Sequence, residues 1–205
     1  MSDFFQNGIV STLHDFGTKS TSVIEKDLLK FSKERKMELI LPCLYSELEG
    51  TALPNIVEEI SKTKYLDHII VGLDRANGNQ AKKAWKFFKK LKSPFSILWN
   101  DGPGLKSLDK ELKKKDLAPG ELGKGRNVWY CLGMSIARNT ARSVALHDCD
   151  IKTYDRRMLA KLFYPVVNPL FNFEFCKGYY PRVANNKMNG RVARLLVFPL
   201  LTALE

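Results

Sequence analysis

The feature that most constrains this chain is a rhythm: short apolar runs separated by longer amphipathic ones. The runs "MELILPCL" (37–44), "DHIIVGL" (67–73), "FSILWN" (95–100) and "SVALHDCDI" (143–151) have strand length. Between them, residues 51–63, 80–92 and 125–141 carry apolar side chains at helical spacing. A helix over residues 20–36, with Val23, Ile24, Leu28 and Phe31 on one face, precedes the first run. A helix over 155–163, a strand pair within 171–183 and a helical stretch from Gly190 follow the last. This alternation predicts a single α/β domain with a mainly parallel central sheet and helices on both faces. The stretch from Asp101 to Lys124, rich in Gly, Pro and Lys, reads as a long connection, with "KELKKKD" (110–116) as a mobile surface segment.

Composition narrows the function without choosing it. No apolar run among the 205 residues approaches the roughly 20 that a spanning helix requires. The start, "MSDFFQNGIVSTLHDF", does not resemble a secretory signal. Cys43, Cys131, Cys149 and Cys176 lie far apart with no CxxC pair, so a reduced, cytoplasmic protein is expected. The net charge of +11 suits nucleic acid, an anionic membrane surface or a small multi-anionic ligand, and composition does not choose among them.

Each predicted strand ends on something polar: "PCLYSELEGT", "GLDRANGN", "NDGPG" and "DCDI". Parallel sheets bind ligands beyond the carboxyl ends of their strands, so Glu47, Asp74, Asp148 and Asp150 fall along the edge where a ligand would sit. Strand alternation points Asp148 and Asp150 to one side, where two like charges repel unless a cation, a proton or solvent separates them. An all-oxygen pair suits Mg²⁺ or Mn²⁺. His147 and Cys149 point to the opposite face, which disfavours a zinc site made within "HDCD".

"GKG" (123–125) opens a helix whose N-terminus suits a phosphate, and Lys124 adds a cation. The Walker pattern fails here, because Ala118 and Gly125 stand where it needs Gly and Ser or Thr. A flexible loop end is the plainer reading of the same three residues. In residues 80–92, Ala84, Trp85, Phe87, Phe88 and Leu91 have core spacing, leaving Lys82, Lys83, Lys86, Lys89, Lys90 and Lys92 as a solvated face. In "NGRVARLL" (189–196), Arg191 follows Gly190 at a helix start and could fork two hydrogen bonds to a phosphate or carboxylate.

Taken in order, "LPCLYSELEGT", "GLDRANG", "GKGRNVW", "LHDCDI" and "NGRVARLLVFPLL" resemble the glucosyl-3-phosphoglycerate synthase group of retaining GT-A glycosyltransferases, from about Leu39 onward. The resemblance implies a Rossmann-like GT-A nucleotide-sugar-binding fold over residues 37–205, with residues 1–36 as a helical segment packed on it. It further implies transfer of a sugar, glucose for this group, with retention from a UDP-sugar to a small phosphorylated or carboxylated acceptor such as 3-phosphoglycerate.

On this resemblance Pro42, Cys43, Leu44, Glu47 and Asp74 would contact the nucleotide. Lys124 would touch the diphosphate, and Asp148, Cys149 and Asp150 would form the D-x-D motif. Asp150, with Asp148, would hold Mg²⁺ or Mn²⁺. Asp150 and Lys124 would carry the chemistry, while Gly190 and Arg191 would bind the acceptor. The group commonly has a second Gly where Asn189 stands and a Thr where Ala193 stands, and its members run beyond the equivalent of Glu205 into further acceptor-side residues and subunit contacts; the resemblance leaves room for a homodimer. Two other classes fit the residues: a nucleotide-sugar-binding protein without turnover, and a basic nucleic-acid-binding module.

Overall fold

The computed structural model describes residues 19–171, 173–178, 182–184, 187–189 and 196–204. The chain divides into two compact units, Ser20–Cys176 and a second comprising Met1–Lys19 with Lys177–Glu205. In the first, four strands build one sheet: β1 (Met37–Leu44), β2 (Leu66–Asp74), β3 (Phe95–Trp99) and β4 (Ser143–Leu146). Their order is β3-β2-β1-β4 and every pairing is parallel. The expected α/β architecture is therefore present, and the four apolar runs share one sheet.

Both faces of the central strands β1 and β2 are covered, which is why they are apolar at consecutive positions rather than alternating ones. On one face Leu39, Leu41, Ile69, Val71, Leu73 and Ala145 enter the main core. That core also takes Ile24 and Leu28 of α1 (Thr21–Phe31), Ile56 and Ile60 of α2 (Ala52–Ser61), and Phe88 of α3 (Gly78–Phe88). Phe163 belongs to it too, from a helix (Arg156–Val167) that follows the sheet. On the other face Ile40 and Ile70 pack against Cys131 of the helix Lys124–Arg138. This helix is α5, since α4 (Pro103–Lys114) precedes it and the helix 156–167 is α6.

Helix α4 falls in the segment read from sequence as a long connection. Gly102 and Pro103 look like a break, but Pro is favoured at the first position of a helix, where its missing N–H has no partner to lose. Leu105 and Asp109 then give the helix a buried side, and the lysines of "KELKKKD" occupy the rest. Helix α3 begins two residues before its expected start, because Asn77 caps it: its side chain accepts the Gln80 N–H at 3.0 Å, and the Gln80 side chain accepts the Asn77 N–H at 2.8 Å. Trp85, expected in the core, is 46% exposed and packs on Phe95 with ring centroids 4.9 Å apart and planes tilted by 41°. Helix α6 runs past Pro165 to Val167, beyond the expected end at 163.

In the second unit β5 (Arg182–Ala184) and β6 (Lys187–Asn189) pair antiparallel, later in the chain than the expected strand pair. A short α7 covers Phe198–Ala203. Gly190 and Arg191 lie outside the described residues. Among the described residues, no helix is long and apolar enough to cross a membrane.

Candidate functional site

Because all four strands run the same way, their C-terminal ends line one edge of the sheet. β1 delivers Pro42, Cys43 and Leu44 there and passes into a 3₁₀ helix, Tyr45–Glu49. The Glu47 carboxylate turns back to accept the Leu44 N–H at 2.9 Å, which fixes it above the end of β1. β2 ends on Asp74, in register with Leu44. The Asp74 carboxylate accepts the N–H of Arg75 at 3.1 Å, and Arg75 has a left-handed φ of 54°.

Beyond β4 the chain keeps the alternation of a strand without its full pairing. The His147 N–H still donates to the Ile40 carbonyl at 3.1 Å. His147 and Cys149 are buried, Asp148 is half-buried and Asp150 is exposed, so the two carboxylates share the outward side. Burial pushes the His147 imidazole down to about 4, and its Nδ1 lies 3.0 Å from the Tyr154 hydroxyl. His147 is thus a neutral core residue.

Lys124 opens α5 and ion-pairs through Nζ with Oδ1 of Asp148. The entry to that helix depends on Gly123, whose φ of 157° and ψ of −172° lie in a region essentially reserved for glycine. Glu47 belongs to the same cluster. Burial lifts its carboxyl above the usual range and Asp150 adds to the rise, while the Leu44 N–H, the Cys43 thiol and Lys124 work against it. Groups from three separate stretches of chain (Glu47, Lys124, and the Asp148–Asp150 pair) therefore converge at one sheet edge.

What holds α5 in place was not singled out in the sequence. The Asn127 side chain donates to the Gly72 carbonyl at 2.7 Å, binding the first turn of α5 to β2. A Cβ on Gly72 would stand 1.8 Å from Asn127 Oδ1 and 2.6 Å from Cys131 Sγ, so only glycine allows this approach. Asp109 of α4 meets Arg126 at 3.0 Å, the Tyr130 hydroxyl at 2.5 Å and Lys113 at 2.8 Å. Lys113, then Tyr130 and Arg126, hold the Asp109 carboxyl well below the usual carboxylate range. Arg126 and Tyr130 are four residues apart on α5, a spacing that reveals the network only once α4 is known to exist. Asp101 was also missed: it accepts the Ala76 N–H at 3.0 Å, and with the Trp99 indole donating to the Ala76 carbonyl at 2.7 Å it shapes the loop after β2.

Asp148 and Asp150 offer oxygen donors only, on the solvent side, and this donor set fits a hard divalent cation. Lys124 supplies the positive charge beside Asp148.

No family model matches the chain. The glucosyl-3-phosphoglycerate synthase of Persephonella marina is 45% identical over 204 residues, covering 100% of this chain and 50% of that protein. The glucosyl-3-phosphoglycerate synthase of Methanococcoides burtonii is 38% identical over 208 residues, covering 99% of this chain and 50% of that protein. The chain thus spans about half the length of the curated relatives it matches. A crystal structure of the Mycobacterium tuberculosis glucosyl-3-phosphoglycerate synthase, in complex with Mn²⁺, UDP and glucosyl-3-phosphoglycerate, aligns with 94% of this chain and 57% of that one, at 20% identity and a TM-score of 0.48.

Proposed function

The chain is a homologue of the glucosyl-3-phosphoglycerate synthases along its whole length, and from that kinship we propose that it is a GT-A glycosyltransferase chain. In this reading residues 37–205 bind a UDP-sugar, UDP-glucose, over the strand ends and deliver the sugar with retention to a small anionic acceptor such as 3-phosphoglycerate. The observation that carries it is the convergence of Glu47, Lys124, Asp148 and Asp150 at the C-terminal edge of a parallel sheet. Four such groups at the ligand-binding edge match the needs of a nucleoside diphosphate: one cation, Lys124, for its phosphates and carboxylates for a metal.

Each residue then has a physical task. Pro42, Cys43 and Leu44 form the end of β1 against which the uracil base would lie, and Asp74 flanks it at the end of β2. Glu47 is pinned by the Leu44 N–H, so it offers a fixed acceptor to the nucleoside. Lys124 exchanges Asp148 for the diphosphate, helped by the N–H groups at the start of α5. Cleavage of the sugar–diphosphate bond builds negative charge on the leaving phosphate, and Lys124 stabilises that charge where it develops. Mg²⁺ or Mn²⁺ bound by Asp150 with Asp148 would add Lewis-acid stabilisation of the same oxygens. Gly190 and Arg191 are assigned to the acceptor by resemblance alone. The same kinship carries the expectation of a cytoplasmic protein.

Calorimetric titration of the full chain with UDP, with and without Mn²⁺, tests the reading. The expected result is metal-dependent binding that Asp150→Ala abolishes. Lys124→Ala should weaken it roughly ten- to a hundredfold, the loss of a charge-assisted contact worth about 1.5–3 kcal/mol. Both variants should unfold at the parent's denaturant midpoint, since each replaces an exposed side chain. Equal UDP affinity in Mn²⁺ for Asp150→Ala and the parent would show the metal assignment to be wrong.

A further inference from the structure

Cys43 and Cys149 are far apart in the sequence and side by side in the fold. β1 pairs with β4 with Ile40 opposite Leu146, and the bond from His147 N–H to the Ile40 carbonyl carries the pairing onward. Counting along both parallel segments sets Cys43 opposite Cys149, with their side chains on the same face. The Cys43 and Cys149 thiols and a Glu47 oxygen all lie within 4.8 Å of one another. The cysteines are 1% and 2% exposed, while Glu47 is half-buried and leaves the cluster open on one side.

We propose that Cys43, Glu47 and Cys149 form a binding site for a thiophilic divalent cation of the zinc type, separate from the oxygen site of Asp148 and Asp150. Zinc bonds of about 2.3 Å to sulfur and about 2.0–2.2 Å to oxygen put tetrahedral ligand atoms about 3.5–3.8 Å apart. The three ligand atoms need to close by little more than an ångström, within the reach of side-chain torsions. The fourth position, on the Glu47 side, is left for water. The alternation that turns His147 away from Asp148 does not weaken this site, because its other two ligands come from β1 and the 3₁₀ helix. The D-x-D segment thus presents two chemistries on its two sides: a buried thiol inward, which releases its proton as a soft ion binds, and carboxylates outward for a hard ion. Glu47 is also the acceptor assigned to the nucleoside, so a zinc-type ion held by it antagonises nucleotide binding; that consequence alone rests on the function proposed above.

The test uses the whole 205-residue chain, reduced and metal-free. Co²⁺, a spectroscopic stand-in for Zn²⁺, should give a thiolate-to-metal charge-transfer band and the strong visible bands of a tetrahedral site. X-ray absorption of the Zn²⁺-loaded parent should show two sulfur neighbours at about 2.3 Å. Cys43→Ser and Cys149→Ser should each remove the charge-transfer band, and Asp150→Ala should keep it. A zinc shell of oxygen and nitrogen alone would overturn the proposal without reference to any variant. So would a band that survives in the double serine variant, which would place the ion on Cys131 or Cys176. UDP titrated with Zn²⁺ present reads the antagonism separately: failure of UDP to bind at all refutes the nucleotide reading and leaves the sulfur-shell result standing.

Discussion

Two buried ionisable side chains near the site set opposite demands on their surroundings. His147 has its imidazole pushed down to about 4 by burial, against about 6.5 in an unfolded chain. The unfolded state therefore takes up the proton first as the pH falls. The His147 contribution is intact above about pH 6.5 and drains away toward pH 4, amounting to roughly 3 kcal/mol. Nuclear magnetic resonance should show this ring titrating near 4, and a ring titrating near 6.5 in the folded protein would refute the assignment. Asp109 has a depressed pKa, so its contribution is complete above the ordinary carboxylate value near 4 and is lost only below it. Asp109→Asn leaves Arg126, itself only 10% exposed, buried without its counter-charge. We expect a loss of about 3–5 kcal/mol in urea unfolding at pH 7. A loss below about 1 kcal/mol would mean the network carries no load at the start of α5.

At the scale of elements, the decisive contact is α5 against β2. The helix presents Asn127 to the Gly72 carbonyl, while Glu38, fully buried on β1, accepts from Ser135 at 2.6 Å, Arg138 at 3.0 Å and Thr140 at 3.1 Å near the other end. Gly72→Ala inserts a methyl where Asn127 Oδ1 already stands, so the helix must withdraw. We expect destabilisation of about 1–3 kcal/mol and weaker UDP binding, because Lys124 moves with the helix. Pairing Gly72→Ala with Asn127→Ala should cost less than the sum of the two single changes, since one clash and one bond share a position. Strict additivity in a double-mutant cycle would show that the two residues do not meet. This contact was only half legible in the sequence. Gly72 sits inside an apolar run, where a glycine signals a close backbone approach, but nothing local says which side chain fills the space. Helix α4 was missed because Gly102-Pro103 and a lysine run look like a connection, and its buried face consists of few residues.

For the whole unit Ser20–Cys176, stability should be unevenly distributed. β1 lies between β2 and β4, and β2 between β1 and β3, with packing on both faces of each. Amide hydrogen exchange should therefore be slowest at Leu39, Ile40, Leu41, Ile69, Ile70 and Val71, which are all 0% exposed. Among the described residues the short β4 is a sheet edge, and it should exchange faster, with its exposed Val144 and Leu146. Protection in β4 equal to that in β1 would contradict this arrangement.

The sequence by itself determined the strands, the alternating side-chain directions and the polar residue at the end of each strand. These depend on local periodicity, and a period of two or 3.6 residues is written in the order of the side chains. Only the tertiary structure decided which strands are neighbours. The order β3-β2-β1-β4 sets the chain beyond β4 beside the end of β1, and so brings Asp150 to Glu47 and Cys149 to Cys43. It also decided that α4 exists and that Asp109 anchors the helix carrying Lys124. Such contacts join residues distant along the chain, and they form because burying both faces of one sheet outweighs the entropy of closing the long loops between its strands.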